Sequence, residues 1–121
     1  MKAEDHRIKA ERIERSMSLL GNDDWEMKIE GAMLAGTHWA NYVLHRRGVS
    51  TEDEDMVHAT MTAVNRLRKY SLAEADLVRN LNEIEELRPL YVRGDLPGAT
   101  KAAARALELL HAIGERARIW P

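Results

Sequence analysis

The chain of 121 residues contains no cysteine and no phenylalanine. The first absence excludes thiol nucleophiles, Cys-ligated zinc, iron–sulfur clusters and any disulfide scaffold. The second accompanies a scarcity of β-branched residues and of apolar–polar alternation, so no segment reads as a strand. An excess of one charge is also missing. Lys and Arg number 18 against 20 Asp and Glu, a net charge of -2, and bulk charge therefore does not announce a nucleic-acid binder. No apolar run approaches the roughly 18–20 residues that a membrane span needs. The longest, Gly31 to Leu44, is interrupted by Thr37, His38 and Asn41. The charged opening Met1-Lys2-Ala3-Glu4-Asp5-His6 has no apolar core after it of the kind a signal peptide carries. The expectation is a cytoplasmic protein without membrane association.

What is present is ordinary for a globular domain: 45% hydrophobic and 31% charged residues. The length suits one domain, residues 1–121. Gly, Pro and acidic turn clusters divide it into five helical segments. The first runs from about Glu4 to Leu20, with Ile8, Ile13, Met17 and Leu20 on one side, and Gly21 stops it. Asn22-Asp23-Asp24 offers N-caps for a longer helix, Trp25 to Arg47. Its inward stripe is Ile29, Ala32, Met33, Gly36, Ala40, Val43 and Leu44. Gly48 ends that helix, and Ser50-Thr51-Glu52-Asp53-Glu54 reads as the cap of a third, Glu52 to Lys69, with Met56, Thr60, Ala63, Val64 and Leu67 inward. Ser71-Leu72-Ala73-Glu74 fits a capping box for the fourth, with Leu77, Leu81, Ile84 and Leu87 inward. That helix ends near Arg88 or kinks at Pro89. Asp95 as N-cap and Pro97 in the first turn start the fifth, which runs to Arg118 and buries Ala103, Ala106, Leu107, Leu110 and Ile113. The expected fold is all-α, an antiparallel up-and-down bundle of four main helices plus one, with the second helix central. Trp39 and Tyr42 lie off the inward stripe and ask for cover, which predicts a homodimer or small homo-oligomer.

Few residues carry a pattern that chemistry demands. A di-iron bundle needs two Glu-x-x-His pairs, and the chain has one, Glu108 and His111. Glu54 with His58 and Glu26 with Glu30 share helix faces but complete no set, so solvated faces are expected, with no metal and no cofactor. His38 and His45, seven apart, project from one side of the second helix. His38 reads as a hydrogen-bonded histidine between helices, with a catalytic base or ligand as the sharper alternative. There is no Gly-rich phosphate loop and no nucleophile elbow. Ser16, Ser18, Ser50 and Ser71 fall where capping explains them. Basic residues close three helices: His45-Arg46-Arg47, Arg66 with Arg68 and Lys69, and Arg116 with Arg118. Cations at helix C-termini complement the macrodipole and need no ligand.

Two stretches resemble a known family. The run Ala32-Met33-Leu34-Ala35-Gly36-Thr37-His38-Trp39-Ala40-Asn41-Tyr42-Val43-Leu44-His45-Arg46-Arg47-Gly48-Val49 is similar to the long helix of HEPN-type proteins, which carries small residues, a histidine after an aromatic, a Leu-rich end and a basic-Gly-apolar stop. Glu86-Leu87-Arg88-Pro89-Leu90-Tyr91-Val92-Arg93-Gly94-Asp95 is similar to the segment before that family's last helix. The resemblance implies a helical bundle that usually dimerises. Active family members are metal-independent ribonucleases that use an Arg and a His a few residues apart. Others pair with small nucleotidyltransferases, act in toxin–antitoxin systems, or bind nucleotides without cleaving. Carried over, Arg88 matches the Arg, and Tyr91 stands near the second position, with Arg93 adding charge. No histidine lies within six residues after Arg88, and a tyrosine near its usual pKa of ~10 is a poor general base at neutral pH. The resemblance therefore implies a non-catalytic binding module that acts with a nucleotidyltransferase-like partner, nucleotide or RNA through Arg88, Tyr91 and Arg93. The alternatives are a degenerate ribonuclease with Arg88, Tyr91 or His38 in the reaction, or a bundle that binds a small ligand in a dimer cleft.

Overall fold

The computed structural model describes residues 1–57 and 64–119. All regular structure among them is helical: α1 (Ala3–Met17), α2 (Trp25–Arg46), α3 (Val64–Ala73), α4 (Ala75–Arg88), a π-helical turn (Pro89–Arg93) and α5 (Ala99–Arg118). Helix α2 lies in the middle, packed against α1, α4 and α5, while α3 packs on α4. Cross-helix contacts fix the directions. His6 meets His38 and Met17 meets Gly31, so α1 runs against α2. Glu30 meets Arg88 and Arg47 meets Glu74, so α4 also runs against α2. Glu74 meets Arg116 and Glu83 meets Arg105, which turns α5 back against α4. This is the antiparallel bundle of four main helices plus one.

The whole expected stripe of α2 is buried, and Ala35, Trp39, Asn41 and Tyr42 are buried with it. Trp39 is 1% exposed and Tyr42 7%. The Trp39 indole Nε1 donates to Glu14 at 3.1 Å, and the Arg118 guanidinium lies 5.1 Å from the indole centroid. The two aromatics are thus covered inside one chain, which removes the premise from which an oligomer was expected. Gly36 permits the central crossing: a Cβ there would sit 3.0 Å from Leu81 Cδ1 and 3.5 Å from Ile113 Cδ1. The end of α2 is as expected. Gly48 takes a φ of 71°, Val49 N–H reaches the Leu44 carbonyl and Gly48 N–H the His45 carbonyl, the two bonds of a Schellman stop.

Several expectations require correction. Helix α1 ends at Met17 rather than Leu20, and its inward line is His6, Ala10, Ile13 and Met17, with Ile8 46% exposed. Residues 52–57 are not helical. Glu54 accepts from the Thr51 N–H and hydroxyl and closes a local turn, while Met56 is buried as expected. Thr60 and Ala63 lie outside the described residues. Helix α3 runs through Ser71 to Ala73, and the break is the single residue Glu74. Helix α5 starts at Ala99 behind Gly98, whose φ of 97° makes the turn that Asp95 and Pro97 were expected to make. Its core side carries Leu109 instead of Leu107, which is 37% exposed. At Pro89 the chain neither stops nor simply bends. Pro has no N–H for the helical ladder, and the turn widens until Gly94 N–H bonds the Pro89 carbonyl.

Because α2 and α5 run the same way, their basic ends meet. Arg116 grips Glu74 through Nε at 2.7 Å and Nη2 at 2.8 Å, and Arg47 joins from α2. Glu74 is 8% exposed. Burial pushes its carboxyl up, but the hydrogen bonds from Arg116 and Arg47 outweigh this and hold it below its usual value. Arg46 bonds the Tyr42 hydroxyl. The cations at these two helix ends are spent inside the fold.

Candidate functional site

A cavity of about 760 Å³ opens between α1 and α2. Its walls are largely apolar, from Ile13 and Met17 of α1, Met27, Met33 and Leu34 of α2, and Met56 and Val57 of the segment after α2. Helical spacing explains the walls: positions 13 and 17 share a side of α1, and 27, 34 and 38 share a side of α2. Gly31 lets the helices close behind it, since a Cβ there would meet Met17 Cγ and Sδ at 2.8 Å.

One end of the cavity is polar. His6 Nε2 and His45 Nε2 each lie 2.8 Å from the same carboxylate oxygen, Asp55 Oδ1. Asp55 Oδ2 accepts from the amino group of Met1 at 3.0 Å. The other ring nitrogens are also engaged. His45 Nδ1 is 2.6 Å from Ser50 Oγ, and His6 Nδ1 is 2.9 Å from His38 Nδ1. With Asp55 ionised, one consistent assignment has both Nε2–H groups donate to the carboxylate, Ser50 donate to His45, and His38 Nδ1–H donate to His6. His38 Nε2 is then left as a lone pair. His6, His38 and Asp55 line the cavity, while the side chains of His6 and His45 are 2% and 5% exposed.

The surroundings favour the neutral forms of His6 and His38. Burial lowers the His6 pKa in spite of Asp55. His38 falls to about 4, first through burial and then through His6, Lys9 and Arg12. Burial pushes the Asp55 carboxyl up, but the bonds from His6, His45 and the amino terminus hold it well below the usual carboxylate range. Asn41, 1% exposed, holds the Asp55 segment in place. Its Oδ1 accepts the Met56 N–H at 2.6 Å, and its Nδ2 donates to the Met56 carbonyl at 2.8 Å and to the Thr37 carbonyl at 3.1 Å.

The residues singled out in the sequence are only partly brought together. His38 stands between α1 and α2 as a hydrogen-bonded histidine and also faces the cavity. Arg88 lines the same cavity, with Nε and Nη2 on Glu30 at 2.7 and 3.2 Å and Nη1 on Glu85 at 2.9 Å. Tyr91, half-buried against the core, and the exposed Arg93 do not line it. Glu108 pairs with Arg105, and His111 lies 3.8 Å from Glu115. His58 lies outside the described residues. Sequence reasoning missed His6, Asp55, Asn41 and the role of Ser50. For His6 a signal existed, since 6, 10, 13 and 17 repeat at helical steps and place a histidine on the buried line of α1. No family model matches this sequence, no curated protein is detectably similar to it, and no solved structure matches its fold.

Proposed function

We propose that the protein is a binding module for a small amphipathic molecule, which places its apolar body in the cavity and its polar head against His38 and Arg12. The observation that carries this reading is the cavity itself. Its 760 Å³ lies within the ~300–1,000 Å³ of small-molecule sites, with mostly apolar walls and a few convergent polar groups at one end. Arg12 lines it and brings a positive charge close enough to lower the His38 pKa. The readings as partner of a nucleotidyltransferase-like protein, as a nucleotide or RNA binder, or as a metal-independent ribonuclease rest on the sequence resemblance. Arg88 is held by two carboxylates, so the geometry favours a ligand in the cavity over a phosphate on Arg88.

The test uses an anilinonaphthalene sulfonate as a fluorescent probe, an apolar body with an acidic head for Arg12 and an anilino N–H that can donate to His38. Leu34 lines the cavity and is 54% exposed, so Leu34→Trp puts an indole at the mouth without touching the core. Saturable binding by the wild type at one site per chain, lost in Leu34→Trp, supports the reading. No saturable binding, or equal binding by both, overturns it.

A further inference from the structure

We infer that His6, His45 and Asp55 form a site for one divalent first-row transition-metal ion, with an open coordination position facing the cavity. The observation is the convergence of donors. Two imidazoles from different helices point the same ring atom at one carboxylate oxygen, each at 2.8 Å, and the three donor atoms lie within 4.8 Å of one another. Two histidines and a carboxylate are a donor set suited to zinc and its neighbours. Tetrahedral zinc, at ~2.0–2.1 Å from each donor, needs donor spacings of roughly 3.3 Å, so each pair at 2.8 Å opens by about half an ångström.

The second observation is what lies behind the donors. A ligating histidine usually gives its other ring N–H to an acceptor, which fixes the ring and its tautomer. Here Ser50 Oγ stands 2.6 Å from His45 Nδ1, and His38 Nδ1 stands 2.9 Å from His6 Nδ1. Moving each ring proton from Nε2 to Nδ1 frees both Nε2 lone pairs for the ion, and His38 shifts its own proton to Nε2 to accept. The three rings stay neutral and Asp55 stays ionised, so no net proton is lost. Asp55 Oδ2 keeps the amino group of Met1. Since His6 and Asp55 line the cavity, the position the protein leaves open faces the space where a ligand would lie. The site stands on these side chains and not on an organic occupant, so it survives failure of the probe-binding test.

The full chain, stripped with EDTA and exchanged into clean buffer, is titrated calorimetrically with zinc chloride, and with cobalt for its visible spectrum. One equivalent bound per chain at micromolar affinity or tighter is expected. His6→Gln and Asp55→Asn should weaken it by at least about tenfold, and Ser50→Ala by about tenfold through the lost orienting bond. His111→Ala, on the exposed face, should leave it unchanged. Where a ligand variant fails to fold, imidazole nitrogen resonances of the wild type decide: zinc must move the Nε2 signals of two buried histidines. No binding by the wild type at millimolar zinc, binding indifferent to Ser50→Ala and the ligand variants, or a zinc effect confined to His111 overturns the assignment.

Discussion

Removing the Asn41 side chain probes how a buried amide holds the site. In Asn41→Ala, the Met56 N–H loses its acceptor at 2.6 Å and the Met56 carbonyl its donor at 2.8 Å. Met56 is 1% exposed, so water does not replace them without local opening. An unsatisfied buried polar group costs about 1–3 kcal/mol, and two give roughly 2–6 kcal/mol before relaxation. That is a large share of the ~5–15 kcal/mol that stabilises a domain of this kind. Urea unfolding followed by helical ellipticity measures the loss, and amide exchange at Met56 reports where it falls. The segment that carries Asp55 should lose protection first, before the contacts of α2 with α4 and α5. Asn41→Asp should be no better, since a carboxylate still accepts the Met56 N–H but cannot donate to the Met56 carbonyl and adds a buried charge. A loss under about 0.5 kcal/mol with unchanged exchange at Met56 would refute the reasoning.

Three further outcomes follow from the same geometry. Glu74→Gln should cost roughly 2–3 kcal/mol near neutral pH, below the ~3–5 of a fully buried pair because Arg47 and Arg116 are about a third exposed and reach water. The folded pKa of Glu74 is depressed, so its contribution is complete above the ordinary glutamate range and fades as pH falls through the folded value. Urea midpoints from pH 7 to pH 3 should therefore fall less steeply in Glu74→Gln than in the wild type. Gly36→Val should cost ~1–3 kcal/mol by urea unfolding, since its Cβ meets Leu81 at 3.0 Å. Arg88→Ala should cost roughly 1–2 kcal/mol through its bonds to Glu30 and Glu85. It should leave low-salt RNA binding unchanged in a filter assay, and a marked loss of RNA affinity would restore Arg88 as a phosphate contact.

Much of the fold was legible because it is written in local periodicity. The stripe of α2, its stop at Gly48 and the line Leu77, Leu81, Ile84 are all where spacing puts them. The segment after α2 was not. Thr51 and Glu54 form the turn that a capping box would start, yet Asn41 claims both backbone groups of Met56 and two histidines claim Asp55. These partners lie 10 to 49 residues away in sequence, beyond any local pattern. The same holds at the site: His38 and His45 were visible as a pair on one face, whereas His6 and Asp55 join them only through packing of α1 and of the 50s segment on α2. The basic helix ends were legible as structural cations that need no ligand, but their partner was not, because only the parallel course of α2 and α5 brings Arg47 and Arg116 onto Glu74.

The cavity can be tested through its methionines. The chain has six, and Met1, Met17, Met27, Met33 and Met56 line the space between α1 and α2. With ¹³C-methyl methionine, titration with the sulfonate probe should move the Met17, Met27, Met33 and Met56 methyl signals together along one saturation curve. Leu34→Trp should abolish that movement. A probe that binds while these methyls stay still, or that moves them equally in wild type and Leu34→Trp, would contradict a ligand seated in the cavity.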